Sequence, residues 1–303
     1  MIPTFPNFKK LELTDKEEVE KITSKFPPYS DFNFVSMWSW NIKGEMQISQ
    51  LNNNLIVRFT DYLTGEPFYS FLGDNKVNET AEKLLELSKK EGFSDQLKLV
   101  PEDSIKGLDK KKFHILESRD HFDYIFSVSE LADLRGVKFK EKRHSATKFL
   151  REYPDASFEI RELNDQTVCE HIVSVFHRWG DKKKSDKKTS DAKHEEMAIS
   201  RLLQTKNNHK LIISCVFLHD VMIGFGIDEI LPLHYAISHF LKTDNTHKGV
   251  SDFLNRKLSQ YLLAHDIKFW NWEQDLGIEH LRRSKMSHHP VNFFKKYKVS
   301  INI

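Results

Sequence analysis

Cysteine is nearly missing from this chain: Cys169 and Cys215 are the only two in 303 residues. They are too few and too far apart for a disulfide framework or a zinc ribbon, and such usage fits a reducing cytoplasm. No window approaches the eighteen or so uninterrupted apolar residues of a membrane span. The opening MIPTFPNFKKLELTDKEEVEK lacks a basic stretch followed by an apolar one and so does not read as a signal peptide. A soluble, cytoplasmic protein is the expectation. Charge of one sign is missing too: 46 Lys and Arg stand against 44 Asp and Glu, for a net +2. Overall charge therefore argues neither for nor against a nucleic-acid partner. There is no G-x-S-x-G, no Walker loop, no G-x-G-x-x-G and no catalytic-cysteine context, which removes the commonest hydrolase, NTPase and dehydrogenase readings.

What is present is globular. Hydrophobic residues make up 39% and charged residues 30%, a balance that excludes wholesale disorder. The length suits two domains or one large one. The 23 phenylalanines point to broad apolar cores or aromatic-lined clefts. Basic residues gather locally, at 182–193, 138–151 and 282–298.

Periodicity gives an alternating order of elements. Val19 and Ile22 lie three apart in a helix over 14–26 capped by Thr14 and stopped by Pro27 and Pro28. The aromatic stretch 29–40 reads as a core helix introduced by Ser30 and Asp31. Strands follow at 54–60 and 67–72, then a helix at 77–91 with Ala81, Leu84, Leu85 and Ser88 on one face, and a strand at 97–100. Phe122, Tyr124 and Phe126 alternate as on a half-buried strand. Ser127 with Glu130 forms a capping box for a short helix that stops at Gly136. A second helix, 139–152, carries a basic face. Beyond a helix marked by Val168, Ile172, Val175, Phe176 and Trp179, DKKKSDKKTSDAK reads as a basic loop, followed by another helix. Strands at 210–218, 221–230 and 233–242 come next, the first two joined around His219 and Asp220. A helix at 249–264, a strand at 267–272, a helix at 276–286 and a strand at 291–300 close the chain. The class is α/β, of mixed α+β layering. Strands, helix and strand recur in both halves, which permits two copies of one fold, divided as 1–115 and 116–303.

Candidate chemistry concentrates near the end, in NWEQDLGIEHLRRSKMSHHPVNFFKKY. Carboxylates at Glu273 and Asp275 fall where a strand turns into a helix, placed to take a proton from an amine nucleophile or to hold a cationic group. Asp275 beside Gly277 also serves as a helix cap. In the following helix Arg282 and Lys285 sit three apart and share a face that could clamp a phosphate or a nucleic-acid 3′ end. His288 and His289 lack a third ligand at helical spacing, so no metal is expected. Earlier, the loop TDNTHKGVSDF enters a helix at Gly249, where free N–H groups, a glycine and Lys248 suit an anion. Taken alone, that loop is better accounted for as an ordinary helix start.

Three segments together, RDHFDYIFSVSELADLRGVKFKEKRHSATKFLREYP, HKGVSDFLNRKL and FWNWEQDLGIEHLRRSKMSHHPVNFFKKY, resemble the C-terminal domain of phosphatidylglycerol lysyltransferase and its stand-alone relatives. PPYSDFNFVSMWSW resembles their early segment, so the likeness spans nearly the whole chain. The resemblance implies two tandem GNAT-like (acyl-CoA N-acyltransferase) domains, each a mixed, mostly antiparallel sheet flanked by helices, with the active site in the C-terminal one. In the lysyltransferase this module moves lysine from lysyl-tRNA to a lipid headgroup. The resemblance further implies that the Lys248–Gly249 turn is the phosphate-binding position. Two positions depart from the pattern: Trp272, where relatives often carry arginine, and Leu241, where they commonly carry an acid. Both bear on whether the donor is of lysine type.

The leading expectation is an acyl or aminoacyl transferase acting on an amine or hydroxyl without a covalent intermediate. Its donor would be acyl-CoA or aminoacyl-tRNA, its acceptor a small molecule or lipid headgroup, with no permanently bound cofactor. Glu273 and Asp275 are the catalytic candidates. Lys248, Gly249, Arg282 and Lys285 are the donor-binding ones, and Arg119, Asp120, His121 and Arg143 form a second tier. A rival reading is a non-catalytic binding module that kept the fold. A third is a nucleic-acid binder using the loop 182–188, which as a solvated surface excursion needs no function.

Overall fold

The fold comes from a computed structural model, which describes residues 1–61, 64–163, 165–183, 189–205 and 211–302. In chain order the elements begin with β1 (Lys9–Lys10), α1 (Lys16–Thr23), α2 (Phe34–Trp40), β2 (Gln47–Leu51), β3 (Asn54–Thr60), β4 (Pro67–Leu72), α3 (Val77–Lys90), β5 (Leu97–Pro101), α4 (Glu102–Ile105) and β6 (Phe113–Glu117). They continue with β7 (Asp123–Ser127), α5 (Val128–Asp133), α6 (Lys140–Glu152), β8 (Ala156–Arg161), α7 (Gln166–Lys183), α8 (Thr189–Leu203), β9 (Leu211–Leu218), β10 (Val221–Leu231), β11 (Tyr235–Thr243) and α9 (Val250–Ala264). The last are β12 (Phe269–Asn271), α10 (Glu279–Met286), β13 (Asn292–Phe294) and β14 (Lys296–Ile301). The class is mixed α/β, with antiparallel and mixed sheets flanked by helices, as the resemblance implied.

Two compact units divide the chain: Met1–Asp123 with Gln274–Glu279 and Phe293–Ile303, and Tyr124–Glu273 with His280–Asn292. The first contains an antiparallel sheet in the order β1-β2-β3-β4 and a second in the order β5-β14-β6. β14 lies in the middle of the second, with Tyr297 opposite Val100 on one side and Glu117 on the other. The amphipathic face of α3, through Ala81, Leu84 and Leu85, closes a core with Ile56, Tyr69, Phe71, Leu97, Phe113 and Val299. The aromatic stretch is a 3-10 turn at Ser30–Phe32 followed by α2, and its cap is Asn33, whose side chain accepts from Ser36 N. Ser30 and Asp31 are used elsewhere, as described below.

The second unit is built on a sheet in which its strands run in the order β7-β12-β11-β10-β9-β8. β11 and β12 run parallel, and the right connection for parallel strands is a crossover helix, here α9. Val250, Leu254, Leu258 and Leu262 bury the inner face of α9. Gly226 on β10 is hemmed in by its own sheet: a Cβ there would fall 2.7 Å from Ser214 Oγ and 3.1 Å from Asp228 Oδ2. The hairpin at His219–Asp220 is as expected, with Leu218 opposite Val221. The strand read as 291–300 is two strands in different sheets, β13 and β14, parted at Lys295. The basic loop is shorter than it reads, since α7 continues through Lys183 and α8 starts at Thr189. Of the 182–188 run, residues 184–188 lie outside the described residues.

Candidate active site

In the second unit the parallel strands β11 and β12 part company. Their ladder runs Tyr235–Phe269, Ala236–Trp270, Ile237–Asn271 and stops. Past Asn271 the chain stays with β7, since Trp272 N donates to Tyr124 O at 2.9 Å and Tyr124 N to Glu273 O at 3.1 Å. β11 instead follows β10 to Thr243, opposite Gly224. The β10–β11 register jumps from Ile227–Phe240 to Asp228–Ser238, leaving His239 as the extra residue of a β-bulge. Glu273, in the left-handed conformation at φ 56°, bends the chain where the strands separate.

His239 lies between two carboxylates, its Nε2 3.6 Å from Glu229 and its Nδ1 3.5 Å from Glu273. The side chains of His239 and Glu229 are buried, while that of Glu273 retains 18% exposure. Burial by itself would drive the proton off this imidazole, but hydrogen bonding and charge from Glu229 and Glu273 outweigh it and lift the pKa to about 9. Beside it, Asp228 is fully buried and its Oδ1 accepts from Trp270 Nε1 at 2.9 Å. Burial pushes its carboxyl up to about 7, against the pull of the Trp270 and Ser238 hydrogen bonds.

The sequence candidates divide between the units. Glu273 belongs to the second, Asp275 to the first. Asp275 is fully buried; its Oδ1 accepts from Gly277 N at 2.8 Å and its Oδ2 pairs with Arg119 Nη1 at 3.4 Å. The Arg119 guanidinium lies 4.9 Å from the centre of the Phe293 ring. The main-chain carbonyl of Asp120 accepts from Leu276 N at 2.8 Å, and a Cβ at Gly277 would stand 3.1 Å from the Asp120 carboxylate. His121 Nδ1 meets Ser118 Oγ at 2.9 Å, and burial holds its pKa below the ordinary value. Behind it is a buried ion cluster. Lys296 Nζ reaches Asp123 Oδ1 at 2.7 Å, Ser30 Oγ at 2.9 Å and the Asp31 carboxylate. Ser30 N and Oγ both donate to Asp123, and Gln274 Nε2 donates to Asp31 at 2.9 Å. Burial opposes the Lys296 charge, but the two carboxylates prevail and its pKa stands above the usual lysine value.

The remaining candidates lie in the second unit. Lys248 is exposed. Gly249 has φ +92°, and a Cβ there would fall 2.5 Å from Ser145 O on α6, so packing alone demands glycine. Asp252, in the first turn of α9, lies 3.4 Å from both Lys142 and His288. Burial pushes its carboxyl up, but hydrogen bonding from His288 and the charge of Lys142 more than offset this and hold it low. Lys285 is turned inward: it is buried, its Nζ donates to Trp272 O at 2.6 Å and stands 5.6 Å over Tyr124. Arg282, three residues earlier, is half-buried. Arg143 donates to Leu134 O and, at 3.2 Å, to Gly136 O, capping the end of α5. His289 Nε2 meets Lys138 O at 2.9 Å. Among the described residues no three His, Cys, Asp or Glu side chains gather as a metal site, and no helix is long and apolar enough to cross a membrane.

Sequence reasoning missed Asp228, Glu229 and His239. The available signal was two adjacent acids inside the otherwise apolar VMIGFGIDEIL, where a carboxylate needs a partner.

The family described as phosphatidylglycerol lysyltransferase, C-terminal, matches residues 24–300. The chain belongs to this family. No curated protein matches it. Among solved structures, a conserved protein of unknown function from Bacteroides thetaiotaomicron is similar at TM-score 0.86 and 23% identity, over 100% of both chains. The C-terminal domain of a putative lysylphosphatidylglycerol synthetase from Agrobacterium fabrum is similar at TM-score 0.65 and 12% identity, over 95% of this chain and 92% of that one. For L-PGS from Bacillus licheniformis the values are 0.62 and 13%, over 99% and 93%. At these identities the likeness is one of fold.

Proposed function

We propose that the protein is an acyl or aminoacyl transferase, taking its group from acyl-CoA or aminoacyl-tRNA and delivering it to an amine or hydroxyl of a small molecule or lipid headgroup. The observation that carries the reading is the divergence of β11 from β12, with Glu273 where they separate and the Lys248–Gly249 turn following β11. Where parallel strands splay, the strand backbone beyond the last shared pair is offered to a guest, and an extended, amide-bearing donor arm hydrogen-bonds to it as an added strand would. Family membership supports the same reaction class.

In this reading the acceptor nitrogen or oxygen bonds to the donor carbonyl carbon and the donor's C–S or C–O bond breaks. Glu273 takes the proton that the nucleophile gives up, and the leaving thiol or hydroxyl is protonated. Main-chain N–H groups steady the tetrahedral oxyanion. Lys248 and Arg282 supply charge for the donor phosphates. Asp275 shapes the turn after Glu273 through Gly277 and Arg119, and Lys285 holds Trp272 in place. The purified chain is to be assayed with labelled aminoacyl-tRNAs and acyl-CoAs against amine and hydroxyl acceptors. Glu273→Gln is expected to lower kcat by about 100-fold or more, within the range of a lost general base, while donor-induced thermal stabilisation persists. Donor binding without turnover in the wild-type chain would instead identify a binding module.

A further inference from the structure

We infer that His239 is a positioning residue, a buried imidazolium that clamps the Glu273 carboxylate where β11 and β12 separate, with Glu229 anchoring it from behind. The inference rests on the transferase reading for its consequence and on geometry for its existence.

Three observations converge on it. First, the bulge: a regular β10–β11 ladder would alternate side chains strictly between faces, and the extra residue at His239 breaks that alternation locally. A bulge is the standard way for a strand to re-aim one side chain, and the one re-aimed here is the only imidazole on β11. Second, the two ring nitrogens face two different carboxylates, 3.6 and 3.5 Å away, from β10 and from the end of β12. An imidazole with an acid at each nitrogen presents an N–H to both only when it is cationic. Third, burial differs along the line: the Glu229 side chain is 3% exposed and His239 1%, but Glu273 18%. The inner acid is sealed and the outer one keeps some exposure to solvent, which is the arrangement of an anchor, a clamp and a working group.

The charges close in the same sense. The titratable groups that face His239 are Glu229 and Asp228 from β10 and Glu273 beyond β12. The imidazolium stands between Glu229 and Glu273 and so offsets the repulsion of two carboxylates held in one largely buried setting. With it, Glu273 is held as an oriented carboxylate able to receive a proton.

The test uses the full chain and has two arms. In the first, the histidine resonances of isotope-labelled protein are followed with pH, His239 being assigned by its loss in His239→Gln. It is expected to keep its proton up to a pH of about 9, and to release it earlier in Glu273→Gln and in Glu229→Gln. A resonance titrating at the ordinary histidine value in the wild type, or one indifferent to both substitutions, overturns the clamp. The second arm is kinetic. His239→Gln, checked for an intact thermal transition, is expected to lower kcat about 10-fold, less than loss of the base itself, with donor affinity little changed. The wild-type rate should fall above pH 9 while the low rate of the variant stays flat there. An unchanged kcat and pH profile overturns the positioning role. Should His239→Gln not fold, Glu229→Gln reads the same clamp from its other side, with the same expected loss and the same overturning result. If the wild type transfers nothing from any donor, the transferase reading fails on its own, and the resonance titration still decides the clamp.

Discussion

Asp228 occupies a place where a carboxylate is normally avoided, fully buried in a largely apolar strand, with an indole N–H on one oxygen. Its pKa of about 7 against an ordinary 3.8 fixes the sign of its effect on folding. A carboxyl that holds its proton more tightly when folded is harmless below the unfolded value and destabilises increasingly as pH rises toward the folded one. Asp228→Asn keeps an oxygen for Trp270 and removes the titration. Its melting temperature relative to the wild type is therefore expected to improve from pH 5 to pH 8, by roughly 2 °C or more. A difference between the two proteins that is constant over that range would contradict the assignment. This residue also shows what single positions reveal. Glu273 was legible because it stands among other charged residues in a segment that resembles the family. Asp228 and His239 were not, because their partners are set by strand register and by a bulge, neither of which leaves a local pattern in the sequence.

Among elements, the long amphipathic ones and several short strands were legible, while others that exist only through distant pairing were not. The face of α3, the inner stripe of α9 and the β9–β10 hairpin follow from periodicity and turn chemistry. β6, and the break at Lys295 that sends β13 and β14 into different sheets, depend on pairing with residues far along the chain. The turn into α9 was read as a place for an anion. Its glycine is explained first by packing, since both its φ of +92° and the 2.5 Å approach to Ser145 O forbid a side chain. Gly249→Ala is accordingly expected to cost about 2 kcal/mol or more of stability, at the upper part of the range for a strained non-glycine residue. Urea unfolding checks this, and a loss below ~0.5 kcal/mol would mean that α6 and α9 adjust freely.

At the scale of the molecule, the feature with most consequence is the Lys296 cluster in the first unit. It ties Ser30 and Asp31 from the beginning of the chain, Asp123 from the middle and Lys296 from the end into one buried network. No periodicity could have shown it, because Ser30 and Asp31 look like an ordinary helix cap and Lys296 like one more lysine of a basic tail. Lys296→Met leaves two carboxylates buried without their cation, and breaking a buried pair in this way typically costs about 3–5 kcal/mol. Adding Asp123→Asn to that variant should restore part of the loss. Chemical denaturation of the two variants measures both effects, and equal stability of Lys296→Met and wild type would show the network to be dispensable.

β14 is the centre strand between β5 and β6. β5 and β6 each neighbour it and not one another, so residues 97–117 complete their sheet only when the much later residues 296–301 dock between them. A substitution that loosens β14 would therefore be felt on both flanks at once, in segments distant from it in sequence.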